Sequence, residues 1–228
     1  MKATQLDLLV IAPHPDDGEL GCGGLLARAK SEGLSTGILD LTRGELGSKG
    51  TVETRAEEVR AASAVLALDY RGNLALTDGA VSDGLEARGS LARCLRELRP
   101  RVLLIPHASD RHPDHLGASR LGAAAVHDAG LRKAPVEGPP HKVSRLLFYP
   151  GNYPAIPTLA VDVSAHIEAW QAAVLAYQSQ FEGEPVSETV GPSGVEARRA
   201  LRRYWGNLVG VAYAEGLLSP LPWLTTLW

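Results

Sequence analysis

The chain predicts one α/β domain, a mostly parallel sheet with helices on both faces and an active site at the carboxyl ends of strands 1 and 4. Two observations carry this expectation. Short apolar runs alternate with helix-length segments through the first 140 residues, which is the rhythm of βαβ units. Two of those runs, Leu6–Ala12 and Val102–Pro106, lead into clustered imidazole and carboxylate: His14-Pro15-Asp16-Asp17 and His112-Pro113-Asp114-His115. At 228 residues the whole chain, 1–228, suits a single domain that buries a large core without disulfides or a structural metal.

The elements follow in order. The strand Leu6–Ala12 leads through the first cluster to a helix over about Gly23–Glu32, closed by Gly33. A second strand, Ser35–Leu41, runs into the glycine-rich loop Thr42–Gly50. A helix then covers Val52–Leu66, with Thr51 as its N-cap. Arg71–Leu76 reads as the third strand. Leu85–Leu98 is an amphipathic helix, with Leu91, Leu95 and Leu98 on one face. The fourth strand, Val102–Pro106, carries the second cluster into a helix over about Leu116–Ala129, and the proline-rich connection Pro135–Pro140 follows. Leu146–Tyr149 and Leu159–Val163 read as further strands, and Ser164 as the cap of a helix through Tyr177. A polar loop, Glu182–Gly194, precedes a last helix over about Val195–Gly216. The apolar tail Leu217–Trp228 is expected to pack on the body or in a subunit interface, since apolar surface left in water invites association.

Composition narrows the class. Hydrophobic residues make up 45% and charged residues 21%, the balance of a soluble globular protein. The net charge of −3 and the lack of a lysine- or arginine-rich block argue against a nucleic-acid partner. The nearest such stretch, Arg198–Arg203, falls on the last helix and reads as a solvated or interface face. Two cysteines, Cys22 and Cys94, build no disulfide framework. No secretory signal is recognisable, and no apolar stretch reaches the ~18 residues of a membrane span. A cytoplasmic protein acting on a small molecule is expected, with no membrane partner.

In the doubly wound strand order 3-2-1-4-5, strands 1 and 4 are neighbours, and ligands bind in the crevice at their carboxyl ends. Topology alone therefore brings the two clusters together. A catalytic zinc site uses three protein ligands and keeps one position open; His14, Asp17 and His115 supply two imidazoles and a carboxylate. Asp16 is then free as general base. His112 is placed to polarise a carbonyl oxygen or protonate a leaving amine, with Asp114 orienting it by hydrogen bond. Singly, each residue has a plainer role: a surface histidine, or an Asp-Asp helix cap. Three histidines and three aspartates in two tetrapeptides, both after neighbouring strands, are not explained that way. Fe(II) also suits a two-histidine, one-carboxylate set. Cys22, beside the first cluster, reads as a buried inert thiol. A nucleotide-binding Rossmann module is disfavoured, because Gly18, Gly21, Gly23 and Gly24 miss G-x-G-x-x-G and two aspartates would face a pyrophosphate. A non-catalytic metal-binding module has no use for Asp16 and His112.

Four stretches resemble a known family: Pro13–Gly21 (PHPDDGELG), His112–His115 (HPDH), Thr42–Arg55 (TRGELGSKGTVETR) and Ala176–Phe181 (AYQSQF). Together they resemble the LmbE-like, or PIG-L-type, zinc deacetylases of N-acetylglucosamine conjugates, over nearly the whole chain and on a Rossmann-like fold. The form Asp110–His115 (DRHPDH) and the late AYQSQF are similar to the bacillithiol-biosynthesis branch, which acts on N-acetylglucosaminyl-malate; the mycothiol-pathway branch is the nearest competitor. The resemblance implies zinc on His14, Asp17 and His115, Asp16 as base, and His112 with its partner Asp114 at the oxyanion. It also implies substrate contact by Arg55 and a homo-oligomer, trimer or hexamer. Malate carries two carboxylates, which arginine or lysine would read; Arg55 is the first candidate, followed by Arg43, Lys49 and Arg111. Ser48 stands where relatives often carry threonine, a conservative departure.

Overall fold

Strands β1 (Leu8–Ala12), β2 (Thr36–Asp40), β3 (Tyr70–Asn73), β4 (Val102–Pro106) and β5 (Arg145–Tyr149) form a parallel sheet in the order β3-β2-β1-β4-β5. This is the arrangement in the computed structural model, which describes residues 5–181 and 192–222. All five residues of β1 and of β2 are buried, as expected of parallel strands covered on both faces. Alternate side chains sort to the two faces. Leu9, Ile11, Leu103 and Ile105 pack with helices α3 (Leu85–Leu98) and α4 (Pro113–Gly130), whereas Val10, Ala12 and Leu104 pack with α1 (Asp17–Ser31) and α5 (Ile167–Leu175). Helix α2 (Val52–Val65) packs against α5, and Thr51 caps it by accepting from the Thr54 N–H at 3.2 Å, an arrangement worth about 1 kcal/mol.

Register decides where the chemistry sits. Leu8 pairs with Thr36 on one side and with Val102 on the other, so β1, β2 and β4 run level. The loops leaving their carboxyl ends therefore emerge at one edge.

Helix α6 (Gln178–Phe181), helix α7 (Pro192–Val209) and the antiparallel pair β6 (Leu159–Asp162) and β7 (Ala214–Leu217) complete the described chain. Several boundaries differ from expectation. Helix α1 starts at Asp17, not Gly23, because its glycines are close-packing positions: a methyl group on Gly21 would lie 2.4 Å from the Tyr149 ring. Helix α4 starts at Pro113, not Leu116, because proline at the first helical position loses no hydrogen bond. Strand β3 ends at Asn73, and a single 3₁₀ turn, Ser164–His166, precedes α5, which ends at Leu175 before Tyr177. The last helix stops at Val209, where Gly210 takes φ 79°. The segment expected as its final turns is instead β7, whose buried Glu215 accepts from Gly24 and Leu25 N–H and pairs with Arg202. Most of the expected polar loop (182–191) and the end of the apolar tail (223–228) lie outside the described residues.

Candidate active site

The turn after β1 carries His14 to Asp16 into α1. Asp16 occupies the N-cap position with φ 112° and makes no side-chain cap bond. A non-glycine residue at that φ is strained, and its carboxylate is left unused by the helix. The turn after β4 ends at His112, the N-cap of α4, whose Nδ1 accepts from the Asp114 N–H at 3.2 Å. Asp114 and His115 thus stand in the first turn of α4. Because β1 pairs with β4, the two clusters face each other.

Asp17 Oδ2 lies 3.1 Å from His14 Nδ1 and 3.2 Å from His115 Nε2. Ligand atoms ~2.0–2.1 Å from a tetrahedral ion are spaced about 3.4 Å apart, so these three atoms fit one divalent metal. Each imidazole turns its other nitrogen to a carboxylate: His14 Nε2 to Asp114 and Asp78 at 3.1 Å, and His115 Nδ1 to Asp110 at 3.1 Å. Such outer carboxylates orient metal-binding histidines and raise their basicity. A second possible group, His14, His112 and Asp114, fits less well. The Asp114 carboxylate already accepts from Gly79 and Val81 N–H, and His112 Nδ1 is occupied.

The electrostatics agree with a cation site. Burial opposes charge on His14, yet its bonds to Asp114, Asp17 and Asp78 push it up to about 12. Burial likewise opposes charge on His115, but the Asp17 charge and the Asp110 bond raise it to about 9. Asp17, also buried, is held well below the carboxylate range by His115 and His14. His112 moves the other way: burial and the charges of His14 and His115 push it down. With Nδ1 accepting, neutral His112 carries its proton on Nε2 as a donor.

Asp16 is buried, and burial pushes it up to about 7 against the opposing charge of Arg55. Arg55 Nη1 lies 3.5 Å from Asp16 Oδ2 and donates to the Pro15 carbonyl at 2.7 Å. The cavity above these groups measures about 260 Å³ and is lined by His14, Asp16, Asp17, Arg55, Asp78, Arg111, His112, His115 and Asn152 among others.

Residues 9–126, just over half of the chain, match the family model for PIG-L, GlcNAc-PI de-N-acetylase. The chain belongs to the PIG-L family. Among relatives, it is 32% identical to the diacetylchitobiose deacetylase of Thermococcus kodakarensis, over 92% of this chain and 81% of that one. It is 27% identical to the 1D-myo-inositol 2-acetamido-2-deoxy-alpha-D-glucopyranoside deacetylase of Rhodococcus erythropolis, over 86% of each. Among solved structures, the conserved protein TT1542 from Thermus thermophilus is 65% identical with a TM-score of 0.93, covering 98% of this chain and 99% of that one.

In this PIG-L protein, His14, Asp16, Asp17, His112, His115, Arg55 and Arg111 all line one cavity. Asp114 is buried beneath it, and its carboxylate bonds His14 rather than His112; only its backbone N–H reaches His112. Arg43 is exposed and, like Lys49, stands outside the cavity lining. Cys22 is fully buried, and burial pushes its thiol well up. Sequence reasoning missed Asp78, Asp110 and Asn152. Asp78 follows the third strand at the same sheet edge, and Asp110 opens the DRHPDH stretch, so position alone could have flagged both. Asn152 gave no signal; its backbone and side-chain N–H groups fix the Asp110 carboxylate at 2.7 and 2.9 Å. Also missed was a buried network behind the site, in which Arg71 bridges Asp40 and Glu19 while the Tyr177 hydroxyl donates to Glu19.

Proposed function

We propose that this chain is a zinc-dependent N-deacetylase, one domain over 1–228, that releases acetate from an N-acetylglucosamine conjugate. N-acetylglucosaminyl-malate of bacillithiol biosynthesis is the first candidate. Another N-acetyl sugar conjugate, of the mycothiol or chitooligosaccharide type, is the alternative. The observation that carries the reading is Asp16: a buried carboxylate beside the His14, Asp17, His115 trio, unused by the helix cap and pushed up toward neutrality. A binding protein has no need of it.

His14, Asp17 and His115 would hold zinc, or iron(II) on the same donors, which when bound would supply a Lewis acid that lowers the pKa of water to ≈ 7. Asp16 takes the proton from the attacking water and later delivers it to the departing amine. The neutral His112 Nε2–H donates to the oxygen on which charge develops, a role worth on the order of 3 kcal/mol. Arg55 holds Asp16 in place and is the first candidate to contact the sugar, with Arg111 lining the same cavity, whereas Arg43 and Lys49 stand outside its lining.

The test is acetate release by the zinc-loaded protein from N-acetylglucosaminyl-malate and from plain N-acetylglucosamine, with Asp16→Asn as the blank. Release from the malyl conjugate alone supports both the chemistry and the branch. Equal release from both leaves the deacetylase and moves the substrate to another conjugate. No release from either, with zinc bound, moves the test to mycothiol-type and chitooligosaccharide-type conjugates, and no release from those as well sinks the deacetylase reading.

A further inference from the structure

We infer that Arg198 reads a carboxylate on the aglycone, the part of the substrate beyond the N-acetyl sugar, and so selects for an anionic conjugate. The inference deepens the deacetylase reading and rests on it for the position of the sugar.

Arg198 differs from Arg202, Arg55 and Arg71. Arg202, one turn away on α7, pairs with Glu215 at 2.8 Å and donates to the Leu20 carbonyl at 2.7 Å. Arg55 faces Asp16 and Glu58, and Arg71 faces Asp40 and Glu19. Half-buried Arg198 instead donates from Nη1 to the Gly151 carbonyl at 3.1 Å, and among the described residues no carboxylate makes an ion pair with it. Burial and the neighbouring Arg202 charge push its pKa down, against the opposing charges of Asp17, Asp16 and Asp110. An arginine stays charged all the same. Asp17, Asp16 and Asp110 act on it from a distance. Among the described residues only the Gly151 carbonyl takes a hydrogen bond from its guanidinium, so donors remain for a ligand carboxylate.

Arg198 also opens on space. It lines a cavity of about 370 Å³ with Asn152, Pro154, Ala197 and Leu201. Asn152 lines the catalytic cavity as well, so the two cavities share a wall. A substrate with its acetamide at the metal ligands would carry its aglycone across that wall. Pro154, Ala197 and Leu201 offer apolar surface with no competing charge, which suits a short carbon skeleton. The guanidinium fork matches a carboxylate in two parallel hydrogen bonds. A neutral glycan offers this arginine hydroxyl acceptors but no counter-charge, and a cationic amino sugar is repelled by it. Arg55, the reader expected from the sequence, turns its guanidinium to Pro15 and Asp16 instead.

A purely structural role is the competing explanation, because Arg198 holds Gly151, and Gly151 lies against Asp110 and His115. The zinc-loaded full chain, with Arg198→Gln and Arg198→Lys, separates the two on N-acetylglucosaminyl-malate and the neutral methyl N-acetylglucosaminide. For Arg198→Gln, the loss in kcat/KM is expected to be at least about tenfold larger on the malyl conjugate, and to lie in KM. Arg198→Lys, which keeps the charge but loses the fork, should fall between. Proportional losses on both substrates overturn the inference and leave a residue that acts through Gly151. Failure of the deacetylase reading shows separately, as no acetate from either substrate with the wild-type protein. Calorimetric binding of the malyl conjugate then decides: binding by wild type and loss in Arg198→Gln upholds the reader, whereas no wild-type binding, or equal binding by both, overturns it.

Discussion

Oδ2 of Asp114 lies 3.1 Å from Nε2 of His14, a bond between residues 100 apart in sequence that ties the second histidine–aspartate cluster to the first. The same carboxylate accepts from the Gly79 N–H at 2.7 Å and the Val81 N–H at 3.0 Å. It therefore anchors the loop after β3 beneath the site. Bonds from His14 and these two amides hold Asp114 down at about 2 in spite of burial. Its side chain supports His14, not His112.

Replacing Asp114 with Asn keeps an acceptor for one of the two loop amides, loses it for the other, and removes the charge facing His14. Metal affinity should fall ~10–100-fold, the usual effect of losing an outer partner. Competition with a chromogenic chelator measures it. Unchanged affinity with reduced turnover would return Asp114 to the service of His112.

Asp16→Asn should retain metal and lose ~10²–10⁴ in kcat. The sign of the pH dependence follows from the base acting as carboxylate: activity is present above its pKa and fades as pH falls through about 7. Arg55 opposes the rise, so Arg55→Gln should move the acid limb of kcat/KM to higher pH. A limb that stays in place would remove Arg55 as the group holding the base.

Gly151 has no room for a side chain. A methyl group there would lie 2.2 Å from Asp110 Oδ2 and 2.8 Å from His115 Nδ1. Gly151→Ala should separate these two and weaken metal binding ~10–100-fold, while the far face of the sheet keeps its protection in hydrogen exchange. Full metal affinity in this variant would show that the Asp110–His115 contact is dispensable.

Arg71 neutralises two buried carboxylates, so Arg71→Met should cost ~3–5 kcal/mol. Asp40 already stands at about 6, raised by burial from 3.8 with Arg71 opposing, and would rise further without Arg71. A carboxyl whose folded pKa exceeds its unfolded value is more stably folded when protonated, so stability drains away as pH climbs from about 4 through the folded pKa. Urea unfolding at about pH 5 and pH 8 should find the larger deficit at pH 8. Equal deficits would mean that Asp40 stays ionised without Arg71.

The strand order and the meeting of His14, Asp17 and His115 were legible because strand runs and cluster positions are local, and parallel βαβ winding leaves few topologies. Helix starts were less legible. Gly18 and Gly21 read as loop because glycine is a poor helix former, and only their close contacts, Gly18 with Ile38 and Gly21 with Tyr149, explain them. The last helix was overrun because Ala214–Leu217 finds its partner in β6, far away in sequence.

The sequence by itself determined the parallel sheet and the residue types of a cluster that could hold a metal, since both follow from periodicity and from clustered donors at adjacent strand ends. Only the tertiary structure decided which carboxylate serves which histidine, that Arg55 faces Asp16, and that Arg198 bonds the Gly151 carbonyl and opens on a cavity. Those pairings join side chains from distant turns, and hydrogen bonds a few ångströms long depend on packing that no local pattern encodes.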